Sequence, residues 1–218
     1  MNFSQFFFSS SNLETSDYAR FVNAREMAPA AAYRDMYNST KSDAQYSSSA
    51  LGLQAIGVPG ELAGYWHMYR NYGSGNIPWE RLFKDAINFA ENGFPVGNHL
   101  EEAMSQRRNF IMEHEHLKNV YVNSETEELY KHGEIFKQPQ LAETLRNLSL
   151  AQDPHQYFYE EIAAKILYDL YEQNDFPNQK PILTAKDFAS YEIIEEEAYS
   201  FDIKDGIKLH TNKLPGMN

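Results

Sequence analysis

The stretch Ile56-Gly57-Val58-Pro59-Gly60-Glu61-Leu62-Ala63-Gly64-Tyr65-Trp66, answered further on by Gly93-Phe94-Pro95-Val96, decides how the chain is read. Pro59 suits the first turn of a helix, where a missing N–H costs nothing, and Glu61 suits its positive end. Leu62, Tyr65, Trp66 and Tyr69 recur at helical spacing and predict one apolar face. Gly73 and Gly75 stop that helix. Pro78 opens a second one, with an apolar stripe of Trp79, Leu82, Phe83, Ile87, Phe89 and Ala90. Gly93 stands where a C-terminal cap belongs, and Pro95 follows where the helix must be over. Two capped helices joined by a short glycine turn predict an αα-hairpin. The turn itself is no phosphate cradle. Gly73-Ser74-Gly75 lacks the Lys and hydroxyl of a P-loop and the strand that precedes a dinucleotide turn.

Toward the N-terminus, residues 3–8 read as a strand or an aromatic cluster, and Tyr18 to Ala24 as a short strand. Met27 to Tyr37 is alanine-rich and predicts a helix with Pro29 in its first turn. Asn38 to Ser49 is a serine-rich connection, which is the ordinary reading of Ser47-Ser48-Ser49 as well. Toward the C-terminus, a charged helical pattern runs from Leu100 to His116. Val120 to Val122 reads as extended, and Glu125 to Tyr130 as polar helix or loop. Pro139 opens a helix with the apolar face Leu141, Ala142, Leu145 and Leu148. A longer one spans His155 to Gln173, with Phe158, Ile162, Ile166, Leu167 and Leu170 at a 3.6-residue period. Thr184 is an N-cap with Asp187 three residues on. Tyr191 to Glu195 and Ile207 to His210 read as strands, the latter after the turn pair Asp205-Gly206. The sum is an α+β chain, mainly helical, with a few strands near both ends that meet in one sheet. It reads as one domain over residues 1–218.

The totals narrow the function. The 218 residues carry a formal charge of -12, which argues against nucleic acid or anionic membrane surfaces as partners, because both need concentrated Lys and Arg. With no cysteine, disulfides, thiolate metal sites and thiol nucleophiles are excluded within this chain. No apolar run reaches the length of a membrane span. Asn2, Asn38 and Asn147 each head an Asn-x-Ser/Thr triplet and are candidate N-glycosylation sites.

Few residues invite chemistry. His114 and His116 form His-x-His, but two residues apart on a helix do not face each other, so they read as a solvated surface. The other histidines are scattered, and no metal or cofactor set emerges. No serine occupies a Gly-x-Ser-x-Gly elbow. Glu195, Glu196 and Glu197 read as a solvated face rather than an acid/base pair, which would need one desolvated member. Arg25 is the best single candidate. It follows a short strand at the end where ligands to α/β sheets bind, and a guanidinium there can make a two-point contact with a carboxylate. The other reading of it is a surface ion pair with Glu26.

Several blocks then become recognisable together. They are Val22-Asn23-Ala24-Arg25-Glu26-Met27-Ala28-Pro29, Ile56 to Gly64, Tyr72-Gly73 with Ile77-Pro78-Trp79, and Gly93-Phe94-Pro95-Val96. Later come Gln138-Pro139-Gln140-Leu141-Ala142-Glu143-Thr144-Leu145, Tyr157-Phe158-Tyr159-Glu160, and Leu183-Thr184-Ala185-Lys186-Asp187-Phe188-Ala189-Ser190-Tyr191. In this order, over residues 18–209, the chain resembles the large-subunit segment of a gamma-glutamyltransferase, or glutathione hydrolase.

That resemblance implies an αββα N-terminal-nucleophile hydrolase sandwich, incomplete here. It implies a precursor that cuts itself, whose new N-terminal threonine attacks the γ-glutamyl amide of a substrate such as glutathione, with no cofactor. The acyl-enzyme then passes to water or to an amino acid or dipeptide. Arg25 matches the family arginine that grips the α-carboxylate of the γ-glutamyl group. Thr144, Thr184 and Thr211 do not match the nucleophile, which the resemblance assigns to a small subunit from the same precursor. The expectations are therefore a substrate-binding Arg25, no catalytic residue within these 218, no turnover by the chain alone, and exposed apolar surface that favours aggregation. The resemblance also implies an extracellular or cell-surface (plasma membrane) location. The alternative is a truncated or degenerate, non-catalytic family member that acts as a binding protein.

Overall fold

The computed structural model describes residues 5–10, 18–37, 49, 52–176, 179–204 and 207–211. The candidate sequons at Asn2 and Asn38, and Ser47-Ser48, lie outside them. The described residues fall into two compact units. One is drawn from Met1–Gly73, Phe158–Tyr171 and Gln179–Asn218, the other from Ser74–Tyr157 and Glu172–Asn178.

The first unit is built on a small antiparallel sheet. Strand β1 (Gln5–Ser10) pairs with β2 (Tyr18–Asn23). The elements that follow are α1 (Glu61–Tyr72), α2 (Trp79–Asn92), β3 (Phe94–Pro95), α3 (Asn98–Gln106), α4 (Arg108–Glu113) and α5 (Glu115–Tyr121). Then come β4 (Val122–Asn123), β5 (Glu128–Leu129), β6 (Ile135–Phe136), α6 (Pro139–Leu150), α7 (Pro154–Gln156), a π-helical run at Tyr157–Ile162 and α8 (Ala163–Glu172). The chain closes with α9 (Ala185–Ala189), β7 (Ile194–Glu197), β8 (Tyr199–Lys204) and β9 (Ile207–Thr211). Strand β7 returns to pair antiparallel with the other edge of β2, setting Val22 opposite Glu195. The two ends of the chain therefore do meet in one sheet. The β8–β9 pair forms a separate two-stranded ribbon. The strand expected at Tyr191 to Glu195 begins three residues later, at Ile194, because Tyr191 is used in packing before pairing begins.

The core of the first unit is made by Val58, Ala63, Tyr159, Ala163, Leu183, Phe188 and Tyr191. Its fully buried members are Val58 and, from one stretch more than a hundred residues later, Leu183 and Phe188. On α1 the buried residues are Ala63 and Gly64, whereas Tyr65 is exposed. This corrects the aromatic face expected there. Small residues face inward because the helix approaches two tyrosine rings closely. Pro59 lies ahead of the helix rather than in its first turn, and Gly60 is the residue at the N-cap. The helix expected at Met27 to Tyr37 is absent. Met27 instead exchanges two backbone hydrogen bonds with Val58, at 3.1 and 2.8 Å, and turns follow. A tertiary bridge at Met27 outweighs alanine propensity in the residues behind it.

In the second unit, α2 lies along α6, and the two helices of the expected αα-hairpin, α1 and α2, belong to different units. Trp79, Phe83, Ile87 and Ala90 are the inward positions of α2, and Leu82 and Phe89 stay exposed. On α6, Ala142 and Leu148 are buried and Leu141 is exposed. Gly93 adopts φ 88°, a positive angle that favours glycine, and its N–H donates to the Phe89 carbonyl at the end of the helix. The core here is Val96, Met104, Ile111, Leu129 and Phe136. His114 is buried rather than solvated. It lies between the rings of Phe110 and Phe176, and its Nδ1 is 2.6 Å from the Phe110 carbonyl. His116 turns to the Gln173 carbonyl, so the two rings serve different partners.

Candidate functional site

Strand β2 leaves the sheet at Asn23, and everything around Arg25 follows from how that exit is fastened. The Asn23 side-chain oxygen accepts the Arg25 amide at 3.1 Å. The Arg25 carbonyl accepts the phenol of Tyr191 at 2.8 Å. The peptide is thus held on both sides of the Cα, while the guanidinium remains 45% exposed. Its Nε donates to the adjacent Glu26 carboxylate at 3.2 Å. Both residues are solvent-facing, so this pair contributes less than about 1 kcal/mol and yields readily to a competing carboxylate.

The surroundings are tight. A Cβ on Gly60 would lie 1.8 Å from the Tyr191 oxygen and 2.4 Å from the Ala24 carbonyl, so only glycine lets the start of α1 approach this strand exit. Tyr191 stacks on Tyr159 with ring centroids 5.3 Å apart and planes 6° apart. Tyr159 donates to the Pro59 carbonyl at 2.6 Å. Burial, aided by the Glu26 charge, pushes the Tyr191 phenol up to about 12. Burial likewise raises that of Tyr159. Both phenols are therefore proton donors throughout the physiological range.

Just beyond, Pro29 is buried and the Ala30 amide donates to Asp187 Oδ1 at 2.7 Å. The other oxygen of Asp187 accepts the Thr184 amide at 2.8 Å and the Thr184 hydroxyl at 2.5 Å. Burial pushes the Asp187 carboxyl up, but the Ala30 amide and the Thr184 hydroxyl and amide outweigh it, and the net position is below the ordinary carboxylate value. The capping box expected at Thr184 is present. Its further attachment to the loop after Arg25 has no local sequence signal.

A second polar cluster holds β7 to α1. Glu195 receives the phenol of Tyr72 and lies 2.6 Å from His67 Nε2, with Arg20 Nε at 3.7 Å. Asn71 donates to His67 Nδ1, which leaves Nε2 as the donor to Glu195. Burial raises the Glu195 carboxyl, but Tyr72, His67 and Arg20 outweigh it and hold it below the ordinary value. The solvated face expected for the three glutamates is therefore corrected at Glu195, which is a gripped carboxylate. Among the described residues, no group of three His, Asp or Glu side chains could hold a metal ion. No helix there is long and apolar enough to cross a membrane. Asn147 is half-buried on α6, and the Ser149 hydroxyl of its triplet donates to the Arg146 carbonyl.

The family model for Gamma-glutamyltranspeptidase matches residues 6–217. Glutathione hydrolase 3 of Arabidopsis thaliana is 33% identical over 185 residues, which cover 85% of this chain and 26% of that protein. Scoloptoxin SSD14 of Scolopendra dehaani is 35% identical over 177 residues, covering 81% of this chain and 28% of its own. The chain thus spans little more than a quarter of the length of these curated relatives. The crystal structure of Helicobacter pylori gamma-glutamyltranspeptidase superposes with a TM-score of 0.79 at 24% identity, over 97% of this chain and 56% of that one. The Pseudomonas nitroreducens gamma-glutamyltranspeptidase complexed with L-DON gives a TM-score of 0.73 at 25% identity, over 97% of this chain and 57% of that one.

Proposed function

The chain belongs to the gamma-glutamyltranspeptidase family, and on that premise we propose that it is the carboxylate-gripping part of an enzyme that cleaves γ-glutamyl amides such as glutathione. Arg25 takes the α-carboxylate of the γ-glutamyl group in a two-point, charge-assisted contact. The reaction itself is acyl transfer. A threonine hydroxyl, activated by its own amine and contributed by a small subunit of the same precursor, attacks the γ-carbonyl and expels the amine. Water or an acceptor amine then takes the glutamyl group from the acyl-enzyme. The chain resides in an αββα N-terminal-nucleophile sandwich outside the cell or at its surface.

The observation that carries this reading is the fastening of Arg25. Its peptide is fixed at the amide by Asn23 and at the carbonyl by Tyr191, while its guanidinium makes, among the described residues, a weak surface pair with Glu26. A rigid backbone presenting a reachable guanidinium is what a carboxylate clamp requires. The hydroxyls of Thr144 and Thr184 are engaged in local structure, donating to the Gln140 carbonyl and to Asp187, which fits the assignment of the nucleophile elsewhere.

The test is Arg25→Ala in the catalytically competent protein that contains this chain, with γ-glutamyl-p-nitroanilide as donor. Loss of a two-point charged contact is expected to raise KM by about 100-fold. An unchanged KM would remove Arg25 from the substrate. Glutamate binding without any turnover by the complete polypeptide would leave a non-catalytic family member in place of the enzyme.

A further inference from the structure

We propose that Tyr191 is a positioning residue for Arg25, holding its carbonyl so that the guanidinium is aimed at the substrate carboxylate; the inference rests on the reading of Arg25 as a clamp.

The argument begins with distance along the chain. Tyr191 lies 166 residues from Arg25, yet its phenol donates to the Arg25 carbonyl at 2.8 Å. The ring is 4% exposed, which fixes the oxygen as well as the plane. The phenol has no freedom to swing away, because Tyr159 stacks on it and Gly60 closes against its oxygen. Tyr159 is fixed in turn by its bond to the Pro59 carbonyl, one residue ahead of Gly60. The same short region of chain therefore braces both rings.

The opposite side of Arg25 is braced separately. The Asn23 side chain takes its amide, and two residues further on the Met27–Val58 bridge pins the chain to the segment that leads into α1. Among the described residues, the Tyr191 phenol is the hydrogen-bond donor that holds the Arg25 carbonyl. Without its hydroxyl the 25–26 peptide can rotate, which loosens the Met27–Val58 bridge next to it, and a small rotation at the Cα is magnified at the tip of a long arginine. Because the phenol titrates only near 12, this restraint operates over the whole range in which the protein works.

Tyr191→Phe removes the hydroxyl and keeps the stacked ring, and two measurements decide the matter. The first is amide hydrogen exchange on the 218-residue chain. Exchange at Met27 and Val58 is expected to accelerate about 5-fold relative to the amides around Phe188, the loss of one hydrogen bond's net worth. Unchanged exchange at Met27 and Val58 overturns the inference. The second is steady-state kinetics on γ-glutamyl-p-nitroanilide in the catalytically competent protein containing this chain. Tyr191→Phe is expected to raise KM about 5-fold with kcat nearly unchanged, and to add nothing in an Arg25→Ala background. A purely structural tyrosine would lower the active fraction and leave KM alone, and that result overturns the inference while leaving Arg25 intact. The same KM factor with and without Arg25 also overturns it. If Arg25→Ala itself leaves KM unchanged, the clamp reading falls first and takes this inference with it.

Discussion

At Asp187 one carboxylate serves two parts of the chain. One oxygen closes the capping box of α9, and the other takes the Ala30 amide from the loop that follows Arg25. Hydrogen bonds to an ionised acceptor are among the stronger ones, and the group is buried. Asp187→Ala is therefore expected to destabilise the protein by about 2–4 kcal/mol, leaving the Ala30 amide without its acceptor. The pH dependence has a definite sign. The folded protein holds this carboxyl below its ordinary value, so the stabilisation is fully present above the unfolded value of about 3.9 and is lost as pH falls below it. Asp187→Asn should consequently flatten the acid limb of a urea-stability profile while lowering its neutral plateau. A mutant whose acid limb matches wild type would show that the carboxylate charge contributes nothing. Half of this was legible. Thr184 with Asp187 at N3 is a local pattern, readable from spacing alone. The bond to Ala30 spans 157 residues, and no pattern of spacing encodes it.

At the scale of elements, the same contrast recurs where α1 begins. Proline, glycine and acidic residues in Pro59-Gly60-Glu61 announce a helix start, and the helix does start at Glu61. Which face it buries was misread, because apolar spacing favours Leu62, Tyr65, Trp66 and Tyr69. The structure buries Ala63 and Gly64, since the partner surface is already filled by the rings of Tyr159 and Tyr191. Periodicity reports which residues are apolar; it does not report how large the facing residues are. Gly60 carries the sharpest consequence. Its φ of −113° is open to any residue, so its requirement is purely spatial. Gly60→Ala is expected to cost about 1–3 kcal/mol by forcing apart α1, Tyr191 and the Ala24 carbonyl. It should also raise the donor KM, by disturbing the phenol that holds Arg25. Gly97→Ala serves as the comparison, because a Cβ there meets nothing within 4 Å, while the loss of a favourable N-cap glycine is common to both variants. Equal urea midpoints for the two variants would contradict the close approach at Gly60.

For the whole molecule, the unit that carries Arg25 is assembled from three stretches of chain, and its surface carries large exposed apolar side chains. Along the β8–β9 ribbon, Tyr199 and Phe201 share one face with Leu209, which stands opposite Phe201. Ile203 and Ile207, at the turn end, are more than 60% exposed. A two-stranded ribbon is marginal in water without something on its apolar face. In the other unit, Leu82 and Phe89 leave an apolar stripe on α2. The formal charge of -12 opposes association over distance, but contiguous apolar patches act at contact, where screening leaves them undiminished. The isolated 218-residue chain is therefore expected to self-associate at concentrations on the order of tens of micromolar, seen as a rising mass in sedimentation equilibrium. Phe201→Asp with Leu209→Lys places an opposite-charge pair across the ribbon in register and removes the centre of its apolar face. That double variant should remain monomeric. Asp202→Ser with Lys208→Ser changes the other side of the same ribbon and should associate like wild type. If the wild-type chain stays monomeric at about 100 µM, the exposed faces are not sticky enough to matter. If both double variants become monomeric, the ribbon's fold rather than its apolar face governs association.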